Sequence, residues 1–298
     1  MKKTKWGGTE MNQKRIEFIG TGVMGASIVR HFLGAGHQVT VFTRTKEKAE
    51  PLLSEGASWA ESPGEAAGEA EIIMTMVGYP ADVEQVYFGE SGIFSAVRPG
   101  TIVTDMTTSS PQLAIRIAEE AEKLGCRSVD APVSGGDVGA RNGTLSIMCG
   151  GPEEAFRELE PLFGLIGSNV IHHGPAGSGQ HVKMSNQIAI ATNMIGVCES
   201  LAYAVRAGLD PERVLESIST GAAGSWSLSN LAPRMLKGDF APGFFVKHFI
   251  KDLRIALDEA KAMDLDLPGV RLAEEMYSEL AGRGSADDGT QALYKLYS

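Results

Sequence analysis

The stretch Gly20-Thr21-Gly22-Val23-Met24-Gly25 carries the first chemical signal in this sequence. It follows an apolar run (RIEFI) and opens a helix-compatible segment, the setting in which a G-x-G-x-x-G turn holds a dinucleotide. Gly20 is expected to make the tight turn, Gly22 to let backbone approach a pyrophosphate, and Gly25 to let helix and strand pack closely. The pyrophosphate then rests on N–H groups of the helix start, with Thr21, Val23 and Met24 completing the loop. At the end of the second strand an NAD site needs Asp or Glu for the ribose 2′-hydroxyl. Here that end reads Thr43-Arg44-Thr45-Lys46. The Arg44 guanidinium with the Thr45 hydroxyl suits a 2′-phosphate, so NADP(H) is the preferred cofactor and NAD(H) a possible one. An exposed loop arginine is the plain alternative.

A second cluster carries charge. Lys183 precedes Asn186 and Gln187 by three and four residues, so a helix places all of them on one face. When hydride reduces a carbonyl, negative charge grows on oxygen, and a positioned ammonium can stabilise that charge and supply the proton. A solvated surface lysine has the same spacing. Upstream, Ser134-Gly135-Gly136 follows a strand-like segment. Successive glycines there can aim backbone N–H groups at a carboxylate, with the Ser134 hydroxyl as another donor, or can simply make a tight turn. Lys251-Asp252, after the aromatic residues Phe244, Phe245 and Phe249, is equally open, and those rings read most simply as core. The 6 histidines show no metal-ligand spacing and the 3 cysteines (Cys126, Cys149, Cys198) form no C-x-x-C pair, so neither a metal centre nor a disulfide framework is expected. Sparse thiols fit a reducing cytosol, hence a cytoplasmic location.

The elements that must position these residues follow from periodicity. Short β-rich runs at 15–20, 38–43, 71–77, 101–105, 126–131, 144–149 and 169–173 alternate with helical stretches at 24–34, 46–55, 111–124 and 153–166. Such alternation specifies right-handed βαβ units and a mostly parallel sheet covered on both faces. After a glycine-rich segment at 172–180 the strand signal stops. The apolar run at 180–207 is expected to be one helix on the order of 40 Å long, buried between domains or subunits. More helices are expected at 211–220, 251–263, 268–283 and 287–297. The fold class is thus α/β, a Rossmann-type doubly wound sheet, followed by an all-α C-terminal domain joined through a long interdomain helix. The expected divisions are a disordered N-terminal extension at 1–13, an NADP-binding domain at 14–177, and a substrate and oligomerisation domain at 178–298.

Composition narrows the partners. Of 298 residues 43% are hydrophobic and 21% charged, with 37 acidic against 27 basic and a net charge of -10. That balance disfavours nucleic acid and anionic membranes while leaving small anionic ligands open. No uninterrupted apolar run reaches the roughly 18 residues of a membrane span, and the first residues lack the apolar core of a signal peptide. The apolar 187–207 segment calls for cover, so a homodimer or homotetramer is expected.

Together these segments resemble the β-hydroxyacid dehydrogenase family, which includes 3-hydroxyisobutyrate dehydrogenases, tartronate semialdehyde reductases and glyoxylate/succinic semialdehyde reductases, with 6-phosphogluconate dehydrogenase a larger relative. The resemblance spans about 14–297. It rests on F-I-G-T-G-V-M-G (18–25), G-H-Q-V-T-V-F-T-R-T (36–45), D-M-T-T-S-S-P (105–111), D-A-P-V-S-G-G (130–136), G-T-L-S-I-M-C-G-G (143–151), G-S-G-Q-H-V-K-M-S-N-Q (177–187) and K-D-L (251–253). It implies that Lys183 is the catalytic lysine and that Ser134, Gly135 and Gly136 grip a substrate carboxylate. It further implies that Thr108 is a nicotinamide-side hydroxyl, that Met76 and Val77 line the cofactor groove, and that Lys251 closes over cofactor and substrate. The activity implied is hydride transfer between a nicotinamide and a small anionic β-hydroxy acid or its semialdehyde. The sequence departs from many members at Gln187, where they carry Asn; the added methylene moves the amide outward and alters the pocket. Retention of Lys183 counts against an imine reductase, and the short segment after the hinge against a 6-phosphogluconate-type decarboxylating enzyme. A non-catalytic NADPH-binding sensor or scaffold is the alternative from another class.

Overall fold

A computed structural model describes residues 12–297 and, by backbone only, 5–6 and 9–10, where Lys5–Trp6 pairs antiparallel with Thr9–Glu10. The extension expected at 1–13 otherwise lies largely outside the described residues. The chain divides into two compact units, Met1–Lys183 and Met184–Ser298.

The first unit is built on six parallel strands: β1 (Arg15–Ile19), β2 (Gln38–Phe42), β3 (Ser58–Trp59), β4 (Ile72–Thr75), β5 (Ile102–Asp105) and β6 (Arg127–Asp130). Their spatial order is β3-β2-β1-β4-β5-β6, so the winding reverses between β1 and β4 as in a doubly wound nucleotide-binding sheet. Every residue of β4 and β5 is buried, which is why these strands read as continuous runs rather than as alternating patterns. Helices α1 (Val23–Gly34), α2 (Pro80–Phe88) and α3 (Pro111–Lys123) connect them. Helix α3 starts where its sequence says it should. Pro111 occupies the first turn, and the Ser110 hydroxyl accepts the Leu113 N–H at 3.1 Å.

Two expectations of detail change. The strands expected at 144–149 and 169–173 do not extend the main sheet. With β7 (Val133–Ser134), β8 (Leu145–Cys149) and β9 (Gly167–His172) form a separate sheet, β8 parallel to β9 and antiparallel to β7. The cause is local: Pro132 has no N–H to continue a ladder beyond β6, and the chain reverses at Gly135 (φ 128°) and Gly136 (φ 63°). Helix α4 (Gly136–Asn142) fills the return, and α5 (Glu153–Ile166) joins β8 to β9. The helix expected at 46–55 is instead a 3₁₀ turn, Lys46–Lys48, and a short helix, Glu50–Ser54. Pro51 cannot donate within a continuous helix, but it fits the first turn of a new one.

The long helix is α6 (Ser178–Arg206), 29 residues. By length and composition it could cross a membrane, and 39% of its most apolar window is buried within this chain. The second unit also holds α7 (Pro211–Ile218), α8 (Val246–Ala262) and α9 (Pro268–Leu280). There Ala191, Met194, Cys198 and Leu201 of α6 form one core with Phe249 and Leu253 of α8 and Tyr277 and Leu280 of α9. Phe249 meets Tyr277 edge-on, ring centres 5.0 Å apart. The segment expected as a helix at 287–297 is a 3₁₀ run, Thr290–Leu296.

One residue of β1 works against stability. Glu17 is fully buried, and neither carboxyl oxygen has a partner among the described residues. Burial pushes its carboxyl well above the ordinary range, so the fold favours the neutral form. The unfolded chain releases this proton above about pH 4.3, so stability falls as pH rises from there toward the folded value. Replacing Glu17 with Met, similar in reach but uncharged, is expected to stabilise the protein by about 1–3 kcal/mol at pH 8. The gain should be smaller at pH 4.5, and thermal unfolding at the two pH values reads the difference.

Candidate active site

The glycine turn has the shape its spacing suggests. Gly20 has φ 101°, and a Cβ there would lie 2.1 Å from the Met76 carbonyl oxygen. At Gly25 a Cβ would lie 2.0 Å from the Gly20 carbonyl oxygen. At Gly22 it would meet nothing within 4 Å. Packing therefore demands glycine at 20 and 25, whereas Gly22 faces open space that another molecule's backbone-close approach would use. Helix α1 has no acidic residue in its first turn and no side-chain cap from Gly22, so its first N–H groups are available to an anion. Thr21 is buried with an Oγ1 lacking a partner among the described residues, Met24 is half-buried, and Val23 is exposed. These features fit a dinucleotide pyrophosphate. Met76 and Val77, just past β4, close on the turn. The Met76 N–H donates to the Ile19 carbonyl at 2.9 Å, and Val77 Cγ1 would be 3.3 Å from a Gly20 Cβ. Arg44 and Thr45, just past β2, are exposed, and Arg44 Nη1 donates to Asp82 Oδ1 at 3.0 Å.

Below the turn runs a buried polar network. Asp130 ends β6 and accepts the N–H groups of Gly177 and Gln180, each at 2.8 Å, through its two oxygens. Gln180 is fully buried. Its Oε1 accepts the Ser109 N–H at 3.0 Å, and its Nε2 donates to the Thr107 carbonyl at 2.7 Å. Thr107 Oγ1 in turn accepts the Val77 N–H at 3.0 Å. The Thr107 N–H donates to Asp105 Oδ1 at 3.0 Å, which also accepts from Thr75 Oγ1 at 2.7 Å. Thr108, half-buried, is thus carried between two residues that one glutamine holds. One turn past Gln180, Lys183 is only 6% exposed and its Nζ donates to the Val133 carbonyl at 2.9 Å. The next residues are Ser134, Gly135 and Gly136, both glycines left-handed. Burial outweighs the hydrogen bonds at the two acids, pushing Asp105 and Asp130 each up to about 6.

Through these contacts the first unit links Gly20–Gly25, Met76, Val77, Thr108, Ser134 and Lys183 past the carboxyl ends of β1, β4, β5 and β6, where open α/β sheets bind ligands. A separate set lies in the second unit. Asn186 Nδ2 donates to Gln187 Oε1 at 2.7 Å, and Gln187 Nε2 donates to Asp252 Oδ2 at 2.6 Å. Lys251 Nζ lies 3.0 Å from Asp252 Oδ1. The Gln187 amide, expected to be moved outward by its added methylene, is engaged at both ends, by Asn186 and Asp252. Among the described residues no group of three or more His, Cys, Asp or Glu is placed to hold a metal.

Sequence reasoning assigned no role to Asp105, Thr107, Asp130 or Gln180, and left Asp252 undecided. The signal that could have found the acids is their setting: Asp105 and Asp130 are each the last residue of a strand, and Asp252 sits among Phe249, Ile250 and Leu253 at helical spacing. For Gln180 no such signal exists, because its partners lie about 70 residues away in sequence. Asp130→Asn keeps the shape but turns an amide NH₂ onto a backbone donor. It is expected to cost about 1–3 kcal/mol of stability, read as a lowered Tm.

The chain is similar to known proteins over most of its length. A family model described as the NAD binding domain of 6-phosphogluconate dehydrogenase matches residues 15–174. One described as NAD-binding of NADP-dependent 3-hydroxyisobutyrate dehydrogenase matches 177–297. An uncharacterized oxidoreductase of Bacillus subtilis is 58% identical, covering 96% of this chain and 99% of its own. A probable mitochondrial 3-hydroxyisobutyrate dehydrogenase-like protein of Arabidopsis thaliana is 51% identical, with 94% and 84% covered. The 2-hydroxy-3-oxopropionate reductase of Escherichia coli is 40% identical over 94% of this chain and 95% of its own. The solved structure of a Mycobacterium tuberculosis 3-hydroxyisobutyrate dehydrogenase with L-serine has a TM-score of 0.88 at 30% identity, covering 96% of this chain and 99% of that one. Imine reductase structures match at 17–19% identity, a likeness of fold alone. Matched by the two family models over 15–174 and 177–297 and by these relatives over 94–96% of its length, the chain belongs to the β-hydroxyacid dehydrogenase family of NAD(P)-dependent oxidoreductases.

Proposed function

We propose that this chain is an NADP(H)-preferring oxidoreductase acting on a short β-hydroxy acid and its semialdehyde, with NAD(H) a weaker cofactor. The observation that carries the reading is Lys183, a lysine buried to 6% exposure with its ammonium against the Val133 carbonyl, beside Ser134. Lysine is rarely buried without a task. Gly20, Thr21, Gly22, Val23, Met24 and Gly25 hold the pyrophosphate, and Arg44 with Thr45 meets the 2′-phosphate. Met76, Val77, Thr108 and Lys251 line the remaining cofactor surface. The bound nicotinamide supplies or accepts the hydride. Ser134 Oγ and the N–H groups of Gly135 and Gly136 hold the substrate carboxylate. During reduction Lys183 Nζ stabilises the growing negative charge on the substrate oxygen and gives it a proton; during oxidation it takes the proton back. Asn186 and Gln187 shape the substrate's surroundings from the next turn of α6. The names of the Arabidopsis and Escherichia coli relatives support a small hydroxy acid or oxo acid as substrate.

Self-association is part of the reading. The partial burial of α6, together with exposed Tyr203, Val205 and Leu209 at its end, supports a homodimer or homotetramer. The acidic net charge disfavours nucleic acid and anionic membranes as partners and leaves small anionic ligands open, and the reading is of a soluble cytoplasmic enzyme.

The test is NADPH oxidation with succinic semialdehyde, glyoxylate, tartronate semialdehyde and methylmalonate semialdehyde, with NADH alongside. Turnover of at least one is expected, and Lys183→Ala should lower it by more than about a hundredfold while NADPH still binds. Unimpaired turnover in the variant would refute the role given to Lys183. Light scattering of the full chain is expected to give a multiple of the 31.6 kDa chain mass, and a monomer would overturn the assembly.

A further inference from the structure

The end of β2 carries no acid in sequence, yet the fold brings one there. Asp82, near the start of α2, places Oδ1 3.0 Å from Arg44 Nη1. The two partners are held differently. The Arg44 side chain is 82% exposed, whereas that of Asp82 is 21% exposed. Asp82 Oδ2 also accepts the Tyr79 N–H at 3.1 Å, the bond that starts α2. The carboxylate is therefore fixed by the helix it caps, and the arginine is the partner that can turn away.

A 2′-phosphate gripped by Arg44 would bring up to two negative charges into the neighbourhood of that fixed carboxylate. A ribose 2′-hydroxyl would bring none. The fixed acid also competes with the phosphate for the same guanidinium. We infer that Asp82 is a specificity-determining residue: it holds NADP(H) affinity below what Arg44 alone would confer and leaves NAD(H) affinity untouched, which narrows the discrimination between the two cofactors. The inference rests on the reading of Arg44 as the 2′-phosphate residue. Because the pair is solvent-exposed on the arginine side, the effect is modest, about two- to fivefold in Kd. It also weakens as salt screens it.

Equilibrium binding of NADPH and NADH to the full chain, followed by nicotinamide fluorescence, tests this without any substrate. Asp82→Asn keeps an oxygen for the Tyr79 N–H while removing the charge. It is expected to lower the Kd for NADPH about two- to fivefold, to leave NADH unchanged, and to lose most of that gain at about 1 M salt. Asp82→Ser, a second uncharged variant, should act in the same direction, and unfolding curves of both variants report whether α2 is intact. Unchanged or weaker NADPH binding in both, with wild-type unfolding, overturns the inference, as does an equal gain for NADH. Arg44→Ala separates the two readings. If it leaves NADPH binding unchanged, the NADP reading of Arg44 fails and the inference fails with it; if it weakens NADPH binding while Asp82→Asn brings no gain, the reading of Arg44 stands and the inference alone is overturned. Binding of neither cofactor by the wild-type chain overturns both.

Discussion

A carboxylate buried at the start of a helix is the constraint on which the candidate site rests. Asp130 takes two of the N–H groups that the beginning of α6 would otherwise leave unpaired, and it lies where the helix dipole favours negative charge. The fit is close enough to dictate composition around it. A Cβ on Gly150 would lie 2.6 Å from Asp130 Oδ1, and one on Gly179 would lie 2.8 Å from Oδ2. Because α6 begins against the end of β6, each residue of its first two turns has a fixed relation to the sheet. Lys183 inherits its position from that contact.

Gln180 extends the same control sideways. Its amide satisfies one donor and one acceptor on the segment after β5, so the turn carrying Thr108 is tied to the helix carrying Lys183. Val77 joins through Thr107, and with it the end of β4 and the glycine turn packed on Met76. Each link is a buried group with a partner, which makes the network expensive to break and therefore rigid. The glycine turn itself is set by another means. Contacts too close for any side chain position Gly20 and Gly25, and the open space at Gly22 is what remains.

The second unit arranges its polar residues around an acid as well. Asp252 gathers Gln187 and Lys251, and Asn186 secures the other end of the Gln187 amide. The Gln187 amide is thereby committed to protein partners.

Much of the fold was legible because the relevant forces are local. Short β-rich runs marked β4 and β5, the helical stretch at 111–124 marked α3, and the glycine spacing at 20–25 marked a tight turn. The two-residue strand β3 left no period to read, and Pro132 hid a change of sheet inside an apparently regular alternation. At the site, residue type and spacing made Lys183, Ser134 and Arg44 candidates beside plainer readings, and the resemblance to the family gave Lys183 and Ser134 their expected roles. What only the tertiary structure decided is how these groups are held and opposed: Asp130 under the helix, Gln180 across to Thr107 and Ser109, Asp252 on Gln187, and Asp82 beside Arg44. Those pairings join residues from 38 to 73 positions apart. A hydrogen bond or ion pair depends on separation in space, and only the folded backbone sets that separation.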